Sequence, residues 1–524
     1  MHRSVLALTT LVALATPAPA QMIEASFPPP AGIDDLGLTV ALDGTRGVAG
    51  AETAGVPQPR PGRAIVFERT ESSWTTVAEL AVPGATPAYA KSVAIDGDVA
   101  VIGDAGALAG SLEAASAVGA VHVFTFDGNA WLLTQTLQSG VVGDGFGRSV
   151  AVHGETLVVG APDAPAAAST AQPTRVFRRL AGVWTKTQDL VGVDSAPDDR
   201  FGDAVDLFDD LLVVGAPDDL FGSGSAYVFE EVSGSFVPTQ KLNLGPLAGT
   251  AAFGDALSVH GERVLIGAPE WNGAVGAALL YAKQPGLGWS HLRTFQRGAA
   301  FAAHNDRFGV SVDLRPGRVA IGVPGESPGG AVYFGVEDPP SWPLHRIEPV
   351  GGPFSAYGFS VALAGDRVAA GLPVLGATGL LQVAYCGLAG EVLDASTDAI
   401  SVASGGTQVL SLDLPSAEVA GDTFLLLGSL SGDAPGVPLP NGGTLALNPD
   451  PYFFFSFANP TAGLLAPGIG TLNGAGNAES AVVVPAGAFP SAVGLTLHHA
   501  AVTLQPGTFE VTGATNAVPL TFVP

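Results

Sequence analysis

Three serines stand two residues after a glycine, in Gly147-Arg148-Ser149, Gly309-Val310-Ser311 and Gly358-Phe359-Ser360. A serine presented on a tight glycine turn can act as a hydrolase nucleophile. The same position, counted along a repeat described below, holds Thr39, Ser92, Ala204 and Ala256. Alanine attacks nothing, so a column of uniformly small residues reads as a packing position. Nine histidines raise metal chemistry. His153 and His260 fall in equivalent turns, expected far apart around a ring. His498-His499, being adjacent, point to opposite faces of a strand. No H-E-x-x-H or paired-cysteine spacing occurs. The expectation is no catalytic residue, no cofactor and no metal site. Cys386 is the one cysteine and reads as a small buried filler. Carboxylate pairs for glycoside hydrolysis come from distant strands, and among 48 acidic residues the sequence singles out no pair. Trp74, Trp131, Trp184, Trp289 and Trp342 could stack on sugars. Their fixed place in the outer strand of each repeat points to packing between repeats instead.

The elements that position these residues follow from an internal repeat. Phe146-Gly147 precedes Gly160-Ala161-Pro162, Phe201-Gly202 precedes Gly215-Ala216-Pro217, and Phe253-Gly254 precedes Gly267-Ala268-Pro269. Weaker copies are Phe308-Gly309 with Gly322-Val323-Pro324 and Tyr357-Gly358 with Gly371-Leu372-Pro373. Two upstream copies are Leu36-Gly37 with Gly50-Ala51 and Tyr89-Ala90 with Gly103-Asp104. The second residue of each pair and the first glycine of each triplet are 13 apart in all seven copies. Steps between copies are 53, 57, 55, 52, 55 and 49, so insertions fall outside that unit. The unit reads as a hairpin, turning at Asp43-Gly44, Asp96-Gly97, His153-Gly154, His260-Gly261 or Gly365-Asp366.

A third strand follows each hairpin, such as 174–177 or 225–229. A fourth opens on an aromatic and usually closes six residues on with Leu or Phe, as in Trp184 and Leu190. Four strands per repeat is the arithmetic of a propeller blade. The fourth strand occurs six times. Met22-Ile23-Glu24-Ala25-Ser26-Phe27 resembles Val77 to Val82, so strand 22–27 is expected to supply the outer strand of the last blade and close the ring. The reading is all-β: a seven-bladed propeller over 21–385, then a small β-sandwich over 386–524.

Met1 to Arg3 is a short basic start, Ser4 to Ala15 is apolar, and Ala18-Pro19-Ala20 offers a small-residue cleavage site. Residues 1–20 thus read as a secretory signal peptide, and the protein as secreted, extracellular or at the cell surface. Net charge is −26, from 22 basic against 48 acidic residues. Such a surface repels phosphate backbones, so nucleic acid is not an expected partner. No later segment reads as a membrane span; 481–497 is interrupted by Pro485, Gly487, Pro490 and Gly494.

The FG pairs and GAP triplets in fixed register resemble FG-GAP repeats, the units of the integrin α-subunit propeller and of many secreted bacterial proteins. The resemblance covers 21–385. It implies a ligand-binding or adhesive ring, whose loops on one face form the contact surface. Many members of that family carry calcium loops of the form D-x-D-x-D-G. This chain has none, and its nearest acidic clusters, Asp194 to Asp199 and Asp218-Asp219, lack the spacing for six to eight oxygen ligands.

Beyond 386 the period stops. Strands are expected at 399–402, 407–414, 423–427, 444–447, 452–457, 481–484, 494–498 and 518–523, with tight turns at Asn441-Gly442 and Asn473-Gly474. Asn448-Pro449-Asp450-Pro451-Tyr452, Leu495 to Ala500 and Asn516 to Leu520 resemble a terminal module on secreted proteins of environmental bacteria.

The function expected is a monomeric binding or adhesion scaffold for an extracellular protein or glycan. Its contacts come from loops after the GAP triplets and before the FG pairs, long at 104–118 and short at 218–224. Two alternatives stand beside it: a polysaccharide hydrolase or lyase using the channel, and a structural surface or matrix protein.

Overall fold

The computed structural model describes residues 22–29, 35–52, 62–70, 73–106, 118–163, 171–245, 249–297, 305–337, 342, 344–349, 356–365, 367–373, 379–386, 392–395, 399–413, 422–431, 437–438, 444–445, 447–459, 464–473, 477–487, 489–505, 511–515 and 518–524. Residues 1–20, expected as a signal peptide, the core of the 104–118 loop and the expected Asn441-Gly442 turn lie outside them. So does Gly474, half of the Asn473-Gly474 turn.

Seven four-stranded antiparallel sheets account for the chain from Met22 to Tyr385. Their innermost strands are, in order, Asp35–Asp43, Tyr89–Asp96, Val150–His153, Val205–Phe208, Leu257–His260, Val312–Arg315 and Ser360–Ala364. Each innermost strand neighbours the next, and the seventh neighbours the first, so the sheets form a closed ring; they are called blades 1 to 7 below. In blades 1 to 6 the strands are hydrogen-bonded in sequence order. Blade 7 takes its outermost strand, Met22–Phe27, from the other end of the chain, where it pairs with Leu380–Tyr385.

The FG and GAP motifs meet in space at every seam. Within blade 3, the Gly147 N–H donates to the Gly160 carbonyl at 3.0 Å and the Gly160 N–H to Ser149 at 2.9 Å, which is why the spacing of 13 is invariant. Across the seam, a Cβ on Gly160 would lie 2.0 Å from the Gly202 carbonyl oxygen of blade 4. Only glycine permits that approach. The aromatic that opens the FG pair in blades 2 to 7 is sealed in the seam: Tyr89, Phe146, Phe253, Phe308 and Tyr357 are 0% exposed and Phe201 is 1%. Each such ring contributes roughly 2–3 kcal/mol of burial. The hydrophobic clusters straddle adjacent blades, as where Val101 and Leu137 of blade 2 meet Val159 and Trp184 of blade 3.

The outer strands carry a second seam. In blades 2, 3 and 4 a β-bulge in the fourth strand skips Thr134, Thr187 and Thr239. The residue after each is glutamine. Gln135 donates to the Trp184 carbonyl and accepts from the Trp184 N–H, both at 2.8 Å. Gln188 clamps Phe236 in the same way, and Gln240 clamps Trp289. The bulge, by twisting the strand, aims the amide at the next blade.

Beyond the ring, a three-stranded sheet of Val392–Ala395, Gly406–Asp413 and Asn477–Val484 packs on a larger one. That one contains Ala399–Ser401, Val518–Val523, Thr496–Leu504, Thr423–Ser429 and Ile469–Thr471. Leu410, Leu412 and Val482 from the first sheet meet Phe424, Leu426, Leu497 and Leu520 from the second in one core. Pro451–Ala458 is a helix, where the apolar run 452–457 is expected as a strand. The Asp450 carboxylate accepts from the Tyr452 and Phe453 N–H groups at 2.9 Å, and Pro451 takes the first helical position. An N-cap followed by proline overrides the strand-like composition. Among the described residues no helix is long and apolar enough to cross a membrane.

Candidate functional site at the loop face of the ring

The residue that follows the FG pair stands at the mouth of the ring, one or two residues before the innermost strand in blades 3 to 7 and within it in blades 1 and 2. Around the seven blades this position reads Leu38, Lys91, Arg148, Asp203, Asp255, Val310 and Phe359. Charged residues therefore fill blades 2 to 5, and apolar ones blades 6, 7 and 1. On the charged arc, Arg148 Nε lies 3.2 Å from Asp203 Oδ1 of the next blade, and Arg200 also pairs with Asp203. Residues after the GAP triplets join them: Asp218 is 3.9 Å from Arg200, and Glu270 is 2.9 Å from Arg307. Burial raises the pKa of Asp163, with Arg148 and Arg200 opposing the shift and Asp203 adding to it. The three arginines are half-exposed, so the arc offers partly solvated guanidinium and carboxylate groups drawn from four blades.

Asp255 differs from its neighbours. Burial, with the Asp203 charge added, pushes its carboxyl up to about 6, although Arg200, Arg307 and Arg148 oppose the shift. A desolvated carboxyl that titrates near neutrality in a mouth can bind or exchange a proton.

The small-residue column has a structural task. Ser149 donates its hydroxyl to the Gly202 carbonyl at 2.8 Å, Ser311 to Gly358 at 2.9 Å and Ser360 to Gly37 at 2.8 Å. Thr39 and Ser92 do the same to Ala90 and Gly147. Each hydroxyl ties one blade to the next. Two positions deeper in the strand, Asp206 and Asp313 serve the same end. Asp206 accepts from the Val259 N–H at 2.7 Å, and Asp313 from the Leu363 N–H at 2.6 Å and the Ser258 hydroxyl at 3.0 Å. Burial raises Asp206 to about 6, against the Val259 N–H and with the Asp313 charge.

His153 and His260, expected far apart, both stack on Phe208 of the blade between them, with ring centroids at 4.8 and 4.0 Å. One blade separates them, not an arc of the ring. His153 also meets Asp209 at 3.1 Å; burial disfavours its charge, but that carboxylate and nearby Asp96 raise its pKa overall. A groove of 490 Å³ opens on this opposite face, lined by His260, Arg263, Lys283, Arg315 and Glu337. Its charges are paired, Arg263 with Glu337 at 2.6 Å and Lys283 with Glu230 at 3.0 Å. His499 is fully buried with Nε2 3.1 Å from the Tyr452 hydroxyl, whereas His498 is half-buried.

The two acidic clusters, Asp194 to Asp199 and Asp218-Asp219, converge on a protein cation. Lys241 Nζ lies 2.8 Å from Asp194 and 2.6 Å from Asp219, and the Tyr227 hydroxyl donates to Asp194 at 2.8 Å. Trp74, Trp184, Trp289 and Trp342 are buried at the seams, Trp74 donating to Glu24 at 2.7 Å. Cys386 is buried. The sequence reading missed the glutamine clamp, although a Thr-Gln pair at 134–135, 187–188 and 239–240, three and four residues after the strand's aromatic, was available to show it.

No curated protein matches the chain. Among solved structures, it is similar to a proposed 6-phosphogluconolactonase of Bacteroides uniformis, at 12% identity and a TM-score of 0.41, over 64% of this chain and 89% of that one. It is also similar to the β-propeller domain of the Trilobed protease of Pyrococcus furiosus, at 11% identity and a TM-score of 0.40, over 68% of this chain and 94% of that one. The family model described as FG-GAP repeat matches residues 136–172 and 184–229. That match falls on blades 2 to 4, and the same motif recurs in the same register at the other seams, so the chain is a β-propeller that carries FG-GAP repeats.

Proposed function

We propose that this protein is a secreted or surface-held binding scaffold that engages an extracellular protein or glycan through the loop face of its ring. The observation that carries the reading is the convergence of Arg148, Asp203 and Asp255 from three successive blades on one mouth. Loops of unequal length surround it, and the seams that hold it are made of buried backbone and small side chains. Rigid rings with variable loops are where recognition concentrates. The test is binding of the 21–524 protein to glycan and protein arrays, with and without calcium. Arg148→Ala and Asp255→Asn should weaken whatever binding is found. Arg315→Ala, on the opposite face, should leave it intact; the reverse pattern sinks the assignment. Self-association with no ligand on either array would favour a matrix role.

A second reading, a polysaccharide hydrolase or lyase, is favoured by one observation: the carboxyl of Asp255 is held near 6 at the mouth. Asp206 is equally raised, but its oxygens already accept from Val259 and Leu207 N–H groups. Release of reducing ends from a polysaccharide panel, abolished in Asp255→Asn, would support that reading.

A further inference from the structure

The turn after the GAP triplet is built twice with one backbone. In blade 5, Glu270 has φ −91° and ψ −2°, Asn272 φ 54° and ψ 44°, and Gly273 φ 72° and ψ 41°. In blade 4, Asp218 has φ −94° and ψ −4°, Leu220 φ 52° and ψ 43°, and Phe221 φ 62° and ψ 37°. Three successive residues are left-handed in each turn, Asn272, Gly273 and Ala274 in blade 5 and Leu220, Phe221 and Gly222 in blade 4. Blade 5 fills the first two positions with Asn-Gly, the residues that take that conformation at least cost. Blade 4 fills them with leucine and phenylalanine, for which it is strained. At those first two positions the chain holds the low-strain solution in one repeat and departs from it in the other, whereas at the third it has Gly222 in blade 4 and Ala274 in blade 5.

What the departure achieves is exposure. Phe221 is 99% exposed, so its ring is not packed against any of the described residues. Val193, one residue from the Asp194 that shares Lys241 with Asp219, is 80% exposed. The support beneath is rigid. The Gly222 N–H donates to Asp218 at 3.0 Å and the Gly224 N–H to Asp219 at 2.9 Å. The Gly222 carbonyl accepts from Ala251 and Ala252 of the next blade. Ser223 donates to Gly245 at 3.1 Å, and Asp219 is locked by Lys241.

From this we infer that Phe221 is the aromatic anchor of the loop face, a knob that enters an apolar pocket on a protein partner. The inference rests on the loop-face reading above and names the chemistry of its ligand. A rigid, preformed aromatic loses little conformational entropy on binding, which is the character of an interface hot spot. A bare convex ring suits a hole on another protein. Sugar recognition instead needs a concave platform with hydrogen-bond donors around it.

The test uses a phage-displayed random peptide library panned on the 21–524 protein, with the same protein on a glycan array. Affinities of selected peptides are then measured against the parent, Phe221→Gly, the double variant Leu220→Asn with Phe221→Gly, and Val193→Ser. The expected result is enrichment of peptides rich in apolar residues, with affinity at least tenfold weaker for both Phe221 variants. Their melting temperatures should be equal or higher, because glycine relieves the left-handed strain. Loss of binding in a protein that has become more stable separates a contact role from a structural one. Failure to enrich peptides, undiminished binding by Phe221→Gly, or binding only to glycans each overturns the inference. If peptide binding falls with Arg148→Ala but not with Phe221→Gly, the loop-face reading stands and the anchor does not. If it falls only with Arg315→Ala, both fail.

Discussion

Glu24 and Arg367 are 343 residues apart in sequence, and Arg367 Nε lies 3.1 Å from Glu24 Oε2. Trp74 donates its indole N–H to the same oxygen at 2.7 Å, and Arg69 lies 3.7 Å from the other. The carboxylate and the Arg367 guanidinium are only 8% and 4% exposed. One carboxylate from the first strand therefore joins blade 7 to blade 1.

Glu24→Ala should cost about 3–5 kcal/mol of stability, the usual penalty for removing one partner of a buried ion pair. Urea unfolding followed by tryptophan fluorescence measures it. Replacing Glu24 and Arg367 together by leucine should recover part of the loss. An unchanged midpoint in the single variant would show that strand pairing alone closes the ring.

Two glycines of one hairpin should respond oppositely in size. Gly160→Ala places a Cβ about 2.0 Å from the Gly202 carbonyl, so it should abolish folding or open the seam. Gly154→Ala has open space and only a φ of 55° to bear, so a cost of about 1 kcal/mol is expected. Ser149→Ala should fall between, at about 1–2 kcal/mol, for the hydroxyl lost to a buried carbonyl. Thermal melts of the three variants rank them.

Asp255 should destabilise the native ring at neutral pH. Its carboxyl titrates near 6 in the folded state and near 4 when unfolded. The folded state thus binds more protons between those values, and stability falls as pH rises from about 4 to 6. Asp255→Asn removes the titration and should gain about 1–3 kcal/mol at pH 7.5, with little change at pH 4. Melting temperatures across that range give the comparison. Equal curves for the two proteins would mean that Arg200 and Arg307 already neutralise the carboxyl.

His499 gives the opposite slope. Burial, with His498 beside it, lowers its pKa to about 3. Between about 3 and 6.5 the unfolded chain binds the extra proton, so stability is present above 6.5 and is lost as pH falls. His499→Gln keeps a hydrogen-bond partner for Tyr452 and should flatten the acid limb of unfolding. Circular dichroism of the 386–524 strands on acid titration reports it.

The propeller was legible because its seams impose rules on single residues. Gly160 needs its place against the Gly202 carbonyl, and Phe146 must lie sealed in the seam, so both recur at fixed spacing. The mouth was not legible. Arg148, Asp203 and Asp255 occupy one column of the repeat, but their types differ from blade to blade, and nothing local says that they meet. The same holds for Asp206 and Asp313, whose partners are backbone N–H groups in another blade. In the terminal module, the apolar run 452–457 carries the β-propensity of a strand. The Asp450 cap that decides for a helix acts through two hydrogen bonds that composition does not register.

The placement of Met22–Phe27 has a temporal consequence. This strand leaves the ribosome long before its partner, Leu380–Tyr385, which is among the last residues of the ring. For the whole interval between them its backbone groups are an open template for other chains. Sealing the wheel is therefore a late, all-or-nothing event, and a nascent chain halted short of residue 385 would carry a sticky end with nowhere to dock.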